Sequence, residues 1–130
     1  MRAIWGLAGA LALLLQAQSG WAFEAGITPV VSPAAEASRL IKAGPGNLYS
    51  LYVTTGATAG FVMTFNATSV PADGAVTPVE CVVAPVNSTI SISFAGPPDI
   101  YSRGIVAVFS TTGCFTKTAS ATAFFKARAQ

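Results

Sequence analysis

Gly104-Ile105-Val106-Ala107-Val108-Phe109-Ser110-Thr111-Thr112-Gly113-Cys114-Phe115-Thr116-Lys117-Thr118 is the stretch that decides the fold class of this chain. Six residues, Ile105 to Ser110, are almost wholly apolar and rich in β-branched side chains, the pattern of a strand buried on both faces. Gly104 and Gly113 punctuate its ends. After Gly113 a second extended run, Ala119 to Ala127, is placed to return as the other arm of an antiparallel hairpin. A strand this apolar must be covered by other strands, and the preceding segments supply them.

Working outward, Ile100-Tyr101-Ser102 reads as a short edge piece set off by Gly96-Pro97-Pro98-Asp99. Thr89 to Ala95 alternates cleanly, with Ile90, Ile92 and Phe94 inward and Ser91, Ser93 and Ala95 outward. Val79 to Ala84 is extended and ends at Pro85, and in Gly60 to Ala67 the side chains of Phe61, Met63 and Phe65 share a face. Asn47 to Thr55 places Tyr49, Leu51 and Val53 on one face and Leu48, Ser50 and Tyr52 on the other. Turns fall at Gly44-Pro45-Gly46, at Thr55-Gly56-Ala57-Thr58 and in the loop Ser69 to Pro78, where Asp73-Gly74 is a tight-turn pair. Short strands at this spacing, with no helical period after residue 40, predict an all-β chain. The expected architecture is a single antiparallel β-sandwich over residues 38–130, Ig-like or jelly-roll, of Greek-key type. Strand order stays open at this point.

Met1 to Ala22 has the layout of a secretory signal peptide: Arg2, an apolar run from Ile4 to Leu15, then Gly20 and Ala22 at the −3 and −1 places before Phe23. The rival reading is an uncleaved anchor, which would be the only contact with a membrane. Residues 23–37, with Gly26, Pro29 and Pro33, read as an extended arm or linker, and Ala34 to Leu40 offers at most one helical turn. The expected location is therefore secreted or periplasmic.

Charged residues make up 9% of the chain, far below the usual quarter or so, and its net charge is +2. Arg39, Lys42, Arg103, Lys117, Lys126 and Arg128 are scattered rather than clustered, which argues against nucleic acid as a partner. There is no histidine, so the common general base and the Ser-His and Cys-His nucleophile pairs are excluded. Two carboxylates facing each other could serve as a glycosidase pair. Against that, Glu24 and Glu36 lie in the arm, Asp73 in a turn, Asp99 after two prolines, and Glu80 is expected to point outward from a strand. No glycine pattern for phosphates is present, and no cofactor or metal site is expected.

Cys81 and Cys114 are the only cysteines. In an exported chain an even count favours a disulfide between them, the other reading being two separate buried thiols. Asn66-Ala67-Thr68 and Asn87-Ser88-Thr89 match the glycosylation acceptor pattern and are read as chance matches in Thr-rich turns. Tyr49, Tyr52 and Tyr101 could form a platform for stacking sugars, although most aromatic residues here are expected in the core.

Gly46-Asn47-Leu48-Tyr49 through Thr54-Thr55-Gly56 to Pro71-Ala72-Asp73-Gly74, together with Gly104-Ile105-Val106 through Phe109-Ser110-Thr111-Thr112-Gly113-Cys114-Phe115-Thr116-Lys117-Thr118, resembles a known kind of domain. It is a small β-domain of bacteriophage and prophage-encoded proteins that are uncharacterised or virion-associated. The resemblance covers roughly residues 38–126 and carries no catalytic motif. It implies a non-enzymatic structural or attachment module. The alternative from the residues is a secreted or periplasmic binding protein for a glycan or cell-surface ligand, so the expected partner is a protein or glycan surface.

Overall fold

Residues 26–94 and 96–130 are described by the computed structural model, and their regular structure is entirely strand. The signal-peptide reading and residues 23–25 of the arm lie outside the described residues. In chain order the strands are β1 (Thr28–Val31), β2 (Ser38–Lys42), β3 (Gly46–Thr55), β4 (Gly60–Asn66), β5 (Gly74–Ala75) and β6 (Glu80–Ala84). There follow β7 (Thr89–Ser93), β8 (Asp99–Tyr101), β9 (Ile105–Ser110), β10 (Thr116–Lys117) and β11 (Ala123–Ala129).

Two antiparallel sheets form the sandwich. One has the order β1-β11-β3-β7, with β8 also pairing β3, and the other has the order β2-β9-β4-β6. The pairings β1–β11, β2–β9, β3–β7 and β4–β6 are nested, first strand with last and inward from there. Such nesting is one long hairpin rolled over itself. Of the two architectures expected from the sequence, this is the jelly roll.

The six residues of β9 are all fully buried, as their composition requires. Ile105, Ala107 and Phe109 face the other sheet together with Val62, Ile41 and Ala84, and meet Leu48, Leu51, Val53, Phe125 and Ala127 there. A hydroxyl pair also ties the layers: Thr64 Oγ1 lies 2.8 Å from the Tyr101 hydroxyl, and both residues are buried. Gly60 must be glycine, because a Cβ there would sit 2.3 Å from the Ser110 carbonyl oxygen and 2.8 Å from Cζ of Phe109.

The opposite face of β9 has its own cover. Val106 and Val108, with Met63 and Phe65 of β4, form a second small core against Ala67, Val76 and Cys81. Above it β5 pairs with β10 as a two-stranded flap. The flap is fastened by the Cys81–Cys114 disulfide, with S–S 2.06 Å and Cα–Cα 5.8 Å, and by Lys117 Nζ, 2.5 Å from Asp73 Oδ1. The Lys117 side chain is only 4% exposed, so removing that carboxylate would leave a buried cation without a partner.

Lys117, and after it the Ala119 N–H, hold the Asp73 carboxyl below its ordinary value of 3.8. A depressed folded-state value stabilises fully above the unfolded value, and the contribution vanishes as pH falls through the folded one. Asp73→Asn should therefore destabilise the protein at neutral pH, with urea midpoints of variant and parent converging as pH drops below about 4. Midpoints that stay parallel down to acid would show that this ion pair carries no such dependence.

Four sequence expectations are corrected. The run after Gly113 does not form a hairpin with β9; it crosses to the other sheet as β11, between β1 and β3, leaving only a bridge from Ser110 to Ala119. The intervening residues are needed to build the flap over β9. Residues 28–31 of the expected arm are an integral edge strand, and Ser38-Arg39-Leu40, read as part of a helical turn, lies in β2. Leu48 faces the core rather than sharing a face with Ser50 and Tyr52. Ala129 pairs with Leu48 but Arg128 with Ser50, so Tyr49 is an extra residue that resets the alternation.

Candidate functional site

The two sheets present very different outer faces. That of the β2-β9-β4-β6 sheet is roofed by the flap, whereas nothing among the described residues roofs the β1-β11-β3-β7 sheet. Register places Pro29, Arg128, Ser50 and Ser93 in one row across that open face. Val31, Lys126, Tyr52 and Ser91 form the next row, and Phe124, Thr54 and Thr89 the third. Cross-strand partners share a face, so these rows form one surface of hydroxyls, aromatic rings and cations.

A shallow depression of about 320 Å³ lies at one end of it, lined by Ile27, Tyr49, Ser50, Tyr52, Ser93 and Arg128. The bulge in β3 brings Tyr49 into this wall, and its hydroxyl donates to Gln130 Oε1 at 2.9 Å, which fixes the ring. Tyr52 is 39% exposed and stands free beside it. Further along, the Thr54 and Thr89 hydroxyls pair at 3.1 Å. The arrangement offers ring faces for stacking, hydroxyls for directional hydrogen bonds, and two cations. No strongly nucleophilic or acidic side chain lines the depression.

No family model matches the chain, and neither does any curated protein or solved structure.

Of the three tyrosines expected to form a platform, the structure brings together Tyr49 and Tyr52 and removes Tyr101. Tyr101 is 1% exposed between the sheets, and burial pushes its hydroxyl well above the ordinary tyrosine range. The acids are dispersed. Glu36 pairs with Arg39 at 3.6 Å and accepts from Ser32 Oγ at 2.6 Å, while Asp73 serves the flap. Glu80, expected to point outward, lies opposite Thr64 on the row facing between the sheets and is half-buried. Its own N–H donates to Thr64 Oγ1 at 3.2 Å. Asp99 Oδ2 accepts from the Tyr101 hydroxyl at 3.4 Å. These groups brace the edge of the sandwich.

The two Asn-x-Thr matches also have structural employment. Asn66 Nδ2 donates to Ser102 Oγ at 3.0 Å and its Oδ1 accepts from the Arg103 N–H at 2.8 Å, closing the approach to β9. Asn87 holds a turn at φ 47°, a left-handed conformation that asparagine tolerates. Arg128 and the serine row were the features missed by sequence reasoning. Their signal was the alternation Phe124-Phe125-Lys126-Ala127-Arg128, which sends every second residue to the open side.

Proposed function

We propose that this protein is a non-enzymatic attachment module, exported to an oxidising compartment, that holds a glycan or another cell-surface ligand on the open face of the β1-β11-β3-β7 sheet. The observation that carries this reading is the asymmetry of the sandwich: one outer face is roofed and stapled, while the other presents the Tyr49–Tyr52 depression among hydroxyls. The disulfide supports an extracytoplasmic location, since such bridges persist where thiols are not kept reduced. The described acids brace the fold, which favours binding over catalysis. A jelly roll is shared by viral shell proteins and lectins, so the architecture agrees both with the phage-like origin suggested by the sequence and with saccharide binding.

Affinity electrophoresis through gels containing polysaccharides tests the reading. The protein should be retarded, and Tyr52→Ala should weaken retardation about tenfold while leaving the melting temperature unchanged, as expected for an exposed ring that anchors a ligand. Retardation indifferent to Tyr52 would move the site elsewhere. Co-sedimentation with phage particles, lost in the same variant, would make the ligand a virion or host-surface component.

A further inference from the structure

We propose that the ligand of this face is an acidic saccharide, whose carboxylate or sulfate is gripped by Arg128 with support from Lys126. This rests on the attachment reading above and goes beyond it in naming the ligand's charge. Arg128 and Lys126 are two residues apart on β11 and point to the same side, about 7 Å apart along the strand. The three rows that make up the open face contain no aspartate or glutamate. The acidic side chains Glu36 and Asp73 are engaged elsewhere, by Arg39 and Lys117. Asp99 lies on the core-facing side of this sheet and Glu80 on the opposite sheet, both by Tyr101. The rows of the open face therefore carry two positive side chains and no acidic one, and they complement an anion.

The surroundings of Arg128 narrow the class of anion. Arg128 lines the same depression as Tyr49, Tyr52, Ser50 and Ser93. A planar fork accepts a carboxylate or sulfate in a two-pronged manner that an ammonium cannot match. The tyrosine rings offer flat apolar planes to the carbon–hydrogen face of a sugar ring, and the serines offer partners for its hydroxyls. Two cations are too few for the counterion release that holds a nucleic acid. A bare anion, in turn, would leave the rings and hydroxyls of the depression unused.

The test uses the full exported chain in affinity gels at low salt. Alginate and polygalacturonate serve as acidic probes, dextran and mannan as neutral ones. Acidic gels should retard the protein and neutral gels should not. Retardation should fall with added salt, since exposed charges are screened within about 10 Å at 0.1 M. Arg128→Gln should weaken it about tenfold, and Arg128→Lys should restore only part of the loss. Lys126→Gln should have a smaller effect, and Tyr52→Ala should weaken acidic binding as well. Retardation by neutral polysaccharides only, or acidic binding unchanged in Arg128→Gln, overturns the acidic ligand and leaves the attachment reading standing. No retardation in either class sinks both. Binding to alginate and to DNA alike, indifferent to Tyr52→Ala, would mean charge alone and also overturns the proposal.

Discussion

Replacing Cys81 and Cys114 together by serine should lower the melting temperature by about 15–25 °C. The bridge closes a segment of 33 residues, and the chain-entropy account assigns such a loop roughly 3–4 kcal/mol. A domain of about this size loses roughly 4–8 °C per kcal/mol. The folded state is affected too, because the bridge joins edge strand β6 to the turn that leads into the flap. Without it, the β5–β10 pair is held over Met63, Phe65, Val106 and Val108 mainly by Asp73, Lys117 and a few backbone bonds. Calorimetry of the oxidised protein and the double variant measures the effect, and thiol titration of the unreduced, denatured parent should find no free cysteine. A loss below about 5 °C would show that the unfolded chain gains little freedom from the cut.

Phe109→Ala should cost about 3–5 kcal/mol, with a fall in melting temperature of about 15–30 °C. Phe109 is fully buried between the sheets, and its ring lies against Gly60, so no neighbouring Cβ stands ready to fill the void. The smaller change Phe109→Leu should cost much less, because it retains most of the apolar volume. Phe124→Ala on the open face provides the contrast: that ring is 38% exposed, and its loss should remain near the small cost usual for surface sites. Equal effects at the two positions in chemical denaturation would contradict the placement of Phe109 at the centre of the core.

The local character of these strands was legible in the sequence, but their partners were not. Ile105–Ser110 was read to the residue because a strand buried on both faces leaves an unbroken apolar run. Thr89 to Ala95 was read from strict alternation, since one face is wet and the other dry, although the strand itself ends at Ser93. The nested order was hidden because β1 meets β11, and β2 meets β9, across most of the chain, and no local residue records such a pairing. Alternation misplaced Leu48 because a single extra residue, Tyr49, inverts the faces of everything on one side of it. In β4, Met63 and Phe65 were rightly grouped, yet their shared face is the one beneath the flap, while Val62 meets the main core. The site was legible in part. Tyr52 was found because it is aromatic, whereas Arg128 acquires meaning only beside Ser50 and Tyr49, which lie some eighty residues earlier in the chain.

The pairing of Thr28 with Ala129 has a mechanical consequence. The first and last strands run antiparallel, so their outer ends emerge together at one corner of the sheet. Tension applied between those two points would act on the β1–β11 ladder as a peeling force, loading one rung at a time, while the other strands bore little of it. The depression lined by Ile27 and Arg128 opens at that same corner, so a load passed between a group held there and either end crosses only the outermost rungs of the ladder and bypasses the body of the sandwich.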